Sequence, residues 1–374
     1  MLQKDNFREI FLLTLIASAS RIIIFIAAYI YSNGLEFPEN LCRLDCRWYL
    51  DSIVENGYNN HPQKNFSHPS GDVANWAFFP LFPLSIKGLS SGLNISPLLT
   101  SLAFNNILFL IFIISLYLYL KNTKDIEKPL LGVAAFCFFP FTLYLSVPYT
   151  ESLFLTLLFL GLLALKKKKL ITAAVLGALL SATRYNGVLF EIIFITYAIT
   201  ILFEAKSAHQ DYPKILLTII FGVLLIPLGL ELYSVYLHFK TGDSLAFMHI
   251  QRAWGRSTGN FILTPFASAL ENPSPYKLYG MTTFMLGIIA SVWVLSKKIW
   301  GEGFFTLISL ITALSTGTFT SASRYSMTSL GWILFFCSVT AKMKKGVYIT
   351  TIITLILSLI TFVNFWHEEY FFMY

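Results

Sequence analysis

Charge is what this chain has least of: Asp, Glu, Lys and Arg make up 13% of its 374 residues, against 56% hydrophobic. With a mean hydropathy of +0.66 and repeated apolar runs of about 20 residues, that scarcity leaves little room for a separate soluble domain and makes lipid the solvent for most of the chain. Cysteine is scarce too. Four are too few for a disulfide framework, and Cys137 and Cys337 sit inside apolar runs as small hydrophobes. Cys42 and Cys46 share a polar loop, but a bridge at that spacing would be strained on a helix, so free thiols are expected there. No His or Cys group has zinc-site spacing, and no Gly-rich loop is present to cradle a nucleotide's phosphates. The net charge of +7 does not point to nucleic acid, because the positive residues fall in small groups between apolar runs and form no basic, aromatic-interleaved face.

What is present reads as an all-α polytopic membrane protein forming a single integral-membrane domain over 1–374. Spans are expected at 11–31, 97–120, 130–147, 152–165, 170–182, 187–203, 215–239, 278–296, 303–320, 327–341 and 347–366, about 11 transmembrane helices, several of them too short to cross roughly 30 Å of hydrocarbon unaided. The first of these resembles a cleavable signal, yet runs on past Arg21 to Tyr31, so a retained signal-anchor is expected. The stretch 78–89, interrupted by Pro80 and Pro83, reads as interfacial. With that choice, Lys4/Arg8, Lys121/Lys124/Lys128, Lys166 to Lys169, Lys206/Lys214, Lys297/Lys298 and Lys342/Lys344/Lys345 fall on one side, which puts them and the N-terminus in the cytoplasm. The long polar segments 32–96 and 240–276 then become extracytoplasmic loops. A bacterial inner membrane is the expected location, with the endoplasmic reticulum as the alternative.

The same parity gathers the polar chemistry on the extracytoplasmic face. Asp45, followed by Trp48 and Tyr49 as interfacial anchors, is either a loop acid paired with Arg43 or Arg47 or a general base for an acceptor hydroxyl. Asp51 reads as a solvated helix residue. Glu151 opens a helix, where an acid suits the exposed amides and the dipole, or it belongs to an active site. Arg184 and Arg324 are arginines at membrane depth, which pair with an acid or bind a phosphate; Glu191 and Glu231 are acids within reach by sequence. Asn186 follows Arg184, and Tyr325 follows Arg324. Around His249, the residues Gln251, Trp254 and Arg256 combine hydrogen-bonding groups, a cation and an aromatic surface of the kind that stacks on sugar rings.

In this order the pieces resemble the GPI mannosyltransferase II (PIG-V-like) family of integral-membrane glycosyltransferases. Its first-loop Asp motif looks like Leu44-Asp45-Cys46-Arg47-Trp48-Tyr49 through Gly57-Tyr58, and its F-F-P-L-Y-P element like Phe78-Phe79-Pro80-Leu81-Phe82-Pro83. Tyr149-Thr150-Glu151-Ser152-Leu153-Phe154, Thr183-Arg184-Tyr185-Asn186-Gly187, Gln251-Arg252-Ala253-Trp254-Gly255-Arg256 and Arg324-Tyr325 look like four further family elements. Leu44 stands where the family has Trp, and Tyr185 where it has Pro; neither change removes a polar group.

The resemblance implies a C-type glycosyltransferase helical bundle that takes a sugar, mannose foremost, from a polyprenyl-phosphate donor to a glycolipid or glycan acceptor by one inverting displacement. Asp45 would be the catalytic base. Trp48, Tyr49, Glu151, Arg184, Asn186, Gln251, Trp254, Arg256, Arg324 and Tyr325 would bind substrate, with Arg184, Arg256 and Arg324 facing the leaving phosphate. No cofactor is implied, and the spacing of Asp45, Asp51 and Glu151 does not demand a divalent metal. Two other classes fit the composition: a transporter or flippase of a lipid-linked substrate, and a non-catalytic membrane assembly subunit. Against the first, the two halves of the chain carry no convincing internal repeat.

Overall fold

The computed structural model describes residues 4–64, 71–123, 126, 128–207, 211–256 and 263–370. Among them the only strands form one short antiparallel ladder, Gln63–Lys64 against Asp72–Val73. The rest of the regular structure is helical, because a helix satisfies its amides and carbonyls within one segment where no water is at hand. The first half runs through α1 (Lys4–Tyr31), α2 (Asp45–Arg47), α3 (Leu81–Leu93), α4 (Pro97–Lys121), α5 (Pro129–Phe136), α6 (Glu151–Lys166), α7 (Leu170–Thr183) and α8 (Phe190–Ser207). The second runs through α9 (Tyr212–Leu225), α10 (Leu228–Thr241), α11 (Ala246–His249), α12 (Thr264–Glu271), α13 (Pro275–Ser296), α14 (Trp300–Leu314), α15 (Ala322–Met327), α16 (Leu330–Ala341) and α17 (Lys345–His367).

Among the described residues, six helical stretches are long and apolar enough to cross a membrane: Asn6–Tyr31, Pro97–Lys121, Tyr185–Ser207, Tyr212–Thr241, Pro275–Ser296 and Lys345–His367. The other expected spans are shorter or broken. The stretch 130–147 is not one helix: α5 ends at Phe136, and a 3-10 turn, Pro140–Leu145, takes over where proline has no amide to give. Arg21 of α1 closes that break. Its guanidinium donates to the Thr142 carbonyl (2.7 Å), Ser146 Oγ (2.8 Å), the Cys137 carbonyl (3.0 Å) and Thr142 Oγ1 (2.8 Å), with its carbon 3.8 Å from the centre of the Phe109 ring. The stretch Tyr212–Thr241, which covers the expected span 215–239, is interrupted only by a short turn at Ile226 and Pro227 between α9 and α10. The stretch 78–89 becomes α3, whose 13 residues are about 20 Å long. It buries Phe82, Pro83 and Ile86 and exposes Leu84, Leu89 and Leu93, as an interfacial helix would.

One aromatic-rich core joins these helices, with Tyr117, Tyr119, Tyr144, Tyr149, Phe159 and Trp366 fully buried. At one end, Lys121 of α4 bonds to Glu9 of α1 (2.6 Å), Lys166 of α6 reaches the Tyr119 carbonyl and Thr123, and Lys168 meets Glu204 of α8 (2.7 Å). Buried Glu302 there accepts from the hydroxyls of Tyr119 (2.7 Å) and Tyr197 (2.9 Å). The candidate site occupies the other end.

Candidate functional site

After α1 the chain makes a 3-10 turn, Glu39–Leu41, and then a tight ring. Contrary to the expectation of free thiols, Cys42 and Cys46 are joined by a disulfide, with Cα atoms 5.2 Å apart. The bridge forms because residues 42–46 are not a helix: Leu44 turns left-handed (φ 53°), and α2 begins only at Asp45. A π-helical stretch, Trp48–Val54, follows and turns Trp48 and Tyr49 toward the centre of the site. The Asp45 amide donates to the Tyr149 hydroxyl (3.2 Å), which donates onward to the Arg43 carbonyl (3.4 Å).

Asp45 does not pair with Arg43 or Arg47. Arg43 is taken by Glu36 (3.1 Å) and Glu369 (3.3 Å), and Arg47 is exposed. The partner of Asp45 is Arg324 of α15, whose Nη1 donates to Oδ2 at 2.7 Å. Arg324 Nε also lies 3.3 Å from Glu151 Oε1, and that oxygen accepts from Arg184 Nη2 at 2.5 Å. Glu191 and Glu231, the acids suggested by sequence, form no ion pair with either arginine. The result is a line of alternating charge, Asp45, Arg324, Glu151, Arg184, whose formal charges sum to zero. Glu151 is buried with 1% of its side chain exposed and sits at the first turn of α6, where its charge suits the helix dipole; its Oε1 meets both arginines, and it makes no capping hydrogen bond. Asp45, at 31%, is the accessible end. Asp51 is exposed, as expected.

Arg184 reaches this line because the turn after α7 folds back tightly. Gly187 lies so close to the Leu180 carbonyl that a Cβ would overlap it. Tyr325 packs against both cations, its ring centre 5.2 Å from each guanidinium carbon. Burial raises its phenol pKa, but Arg324, Arg184 and Arg256 together outweigh that and hold it below the ordinary tyrosine range.

A cavity of about 570 Å³ opens on Asp45. Of the residues singled out by sequence, Trp48, Tyr49, Arg184, Asn186, Gln251, Trp254, Arg256, Arg324 and Tyr325 line it with Asp45. Glu151 does not; it lies behind Arg184 and Tyr325 on a small cavity of about 40 Å³. His249 is exposed and engaged with Asp243 (2.6 Å). One wall is aromatic, with Trp48 stacked on Phe78 (ring centres 5.6 Å apart, planes 13°) and Trp254 edge-on to both. The lining also carries a hydroxyl wall of Thr312, Ser315 and Thr316 at the end of α14, continued by Thr320 and Ser321. Sequence reasoning missed that wall; its signal was hydroxyls three and four apart closing an apolar helix. It also passed over Tyr149, Phe78 and Phe79 as site residues, although each lay inside a motif it had noted.

Arg256 is the third cation, and it differs from the others. Its Nη1 donates to Gln251 Oε1 (3.0 Å) and its Nη2 to the Thr320 carbonyl and Ser321 Oγ (both 3.3 Å), while Nε is buried without a partner. No carboxylate among the described residues pairs with it. The cavity therefore carries one formal positive charge beyond its ion-paired line. No cluster of three metal-ligating side chains occurs among the described residues.

No protein-family profile matches the chain. A curated relative is GPI mannosyltransferase 2 of Schizosaccharomyces pombe, 34% identical over 173 residues, which is 44% of this chain and 37% of the relative. The match thus spans well under two thirds of that relative's length.

Proposed function

We propose that this protein is a glycosyltransferase of the membrane that moves a sugar, mannose foremost, from a polyprenyl-phosphate donor to a hydroxyl of a glycolipid or glycan acceptor at the extracytoplasmic face. The observation that carries the reading is the pairing of Asp45 with Arg324 at the mouth of a cavity that has an aromatic wall, a hydroxyl wall and one cation without an acid. A hexose has apolar faces and a polar rim, so a slot lined by rings and hydroxyls suits it. The likeness to a mannosyltransferase supports the choice of sugar.

In the proposed reaction the acceptor oxygen attacks the anomeric carbon as the bond from that carbon to the phosphate oxygen breaks. The acceptor proton passes to Asp45. Arg324 engages Oδ2 and so leaves Oδ1 outside that bond as the oxygen to take the proton. The phosphate leaves on the lipid with a second negative charge, and Arg256 is placed to meet it, since Arg184 and Arg324 already answer to carboxylates. This moves the weight of phosphate recognition from the arginines inside the bundle to the loop arginine.

The test is product analysis with purified protein, polyprenyl-phosphate-mannose and a panel of acceptor glycolipids. A product one hexose heavier, with inverted anomeric configuration, is expected. Vectorial movement of intact donor across a vesicle membrane with no new glycosidic bond would sink the reading in favour of a flippase.

A further inference from the structure

We infer that the Cys42–Cys46 disulfide is a positioning element for Asp45, so that the site is assembled only where the environment is oxidising. The effect on turnover rests on the proposed reading of Asp45 as the base; the effect on the loop does not.

Asp45 lies inside the five-residue ring that the bridge closes, next to Leu44, which holds a left-handed backbone that a side chain such as leucine leaves when nothing constrains it. The other ties on the ring are noncovalent. The Cys42 amide donates to the Glu39 carbonyl (2.9 Å) and the Cys46 amide to the Arg43 carbonyl (3.1 Å), and Arg324 holds the Asp45 carboxylate itself (2.7 Å). Two hydrogen bonds through the Tyr149 hydroxyl are 3.2 and 3.4 Å long, and the ion pairs of Arg43 run to Glu36 and Glu369, whose side chains are 59% and 37% exposed. Cys46 is wholly buried and anchors one end of the ring in the core; Cys42 is half-buried and is the sulfur a reductant reaches. The bridge is thus the one covalent hold on the backbone that aims Asp45 at Arg324 and the cavity. When it is cut, Leu44 relaxes toward ordinary backbone and carries Asp45 away from Arg324, while the core beneath stays packed. A disulfide belongs to compartments outside the reducing cytosol, which agrees with an extracytoplasmic site. Cys137 and Cys337 are free and buried, so reduction and thiol labelling report on this bridge alone.

Reduction by dithiothreitol transfers two electrons and two protons: the Cys42–Cys46 bond breaks, two thiols form, and the reagent departs as its cyclic disulfide. The full chain in lipid nanodiscs is compared oxidised, reduced, and as C42A/C46A, which keeps the buried position apolar. Hydrogen exchange is read on the peptide carrying Asp45, and initial rates are measured over a range of donor concentrations. The expected result is exchange at least about tenfold faster in that peptide alone, and kcat about tenfold lower with KM for donor within twofold, in both the reduced protein and C42A/C46A. Dithiothreitol should have no further effect on the variant. Unchanged exchange overturns the inference, as does loss of protection across the whole chain, which would make the bridge a general staple. Faster exchange with unchanged kcat also overturns it. Should the oxidised protein transfer no sugar at all, the enzymatic reading fails, and exchange alone then decides whether the bridge positions Asp45.

Discussion

At the residue scale the sharpest distinction is among Arg184, Arg256 and Arg324, which sequence grouped together before the leaving phosphate, whereas the acids were already told apart there. Asp45→Asn should lower transfer by at least about 10³-fold with folding and donor affinity nearly unchanged, since the amide keeps the shape but takes no proton. Asp51→Asn, at an exposed position, should be nearly silent. Retained turnover in folded Asp45→Asn would remove Asp45 from the mechanism. The arginines should separate by type of damage. Arg256→Ala should raise KM for donor or cut kcat on the order of 10²-fold, with little change in melting temperature, and Arg256→Lys should restore only part, because a point charge cannot reproduce a guanidinium's fork. Arg184→Ala should instead destabilise by about 3–5 kcal/mol, since it strips a partner from buried Glu151. Thermal unfolding beside steady-state kinetics tells the two apart. That Arg184 and Arg324 need a charged partner was legible from their depth in apolar sequence. Which acid each meets was not, because Asp45 and Arg324 are 279 positions apart and only the fold brings them together.

At the scale of elements, hydropathy located the apolar segments but misjudged their continuity. A window over 130–147 is uniformly apolar and hides the change from α5 to the 3-10 turn at Pro140. Arg21 was noticed as a charge inside the first span, yet its purpose lies in another segment, where it caps carbonyls that a broken helix leaves open. Arg21→Met preserves length and apolar packing but takes the guanidinium from the Thr142 carbonyl and leaves the Cys137 carbonyl only a long bond from Thr142 Oγ1 (3.4 Å). At about 1–3 kcal/mol for each buried group left unpaired, the variant should unfold at clearly lower temperature, and hydrogen exchange should accelerate first in 137–146. Wild-type exchange in that segment would show that other groups close the break. The Cys42–Cys46 bridge failed on the sequence side for a related reason: the spacing was judged on a helix, and the left-handed Leu44 that makes room for it has no signature in residue type.

For the whole molecule, Lys121, Lys166 and Lys168, members of the lysine groups that set the proposed orientation, lie with their contacts at one end, and the cavity lies at the other. A cysteine introduced at Asn59 should therefore react with an impermeant maleimide from outside, and one at Lys168 only after the membrane is opened, with the buried native thiols silent in both. Labelling of both from the cytoplasmic side would invert the topology. The presence of several long apolar helices was the most legible feature, because apolar length is a property of a segment and needs no tertiary contact. The hydroxyl wall and the charge line depend on how α6, α14 and α15 meet, which composition does not encode.

The solitary charge of Arg256 bears on the end of the catalytic cycle as well as its start. On the proposed reading a donor arrives as a phosphodiester with one negative charge and the spent carrier leaves as a monoester with nearly two, so the same guanidinium grips the product more firmly than the substrate. Spent carrier should accordingly compete with fresh donor at concentrations below the donor's own KM, and a burst of one equivalent of glycosylated acceptor should precede a slower steady state. Arg256→Ala should abolish the burst along with the inhibition. Clearing the carrier then becomes the step that sets the pace, and the enzyme's output would follow how quickly the surrounding membrane recycles its lipid phosphate.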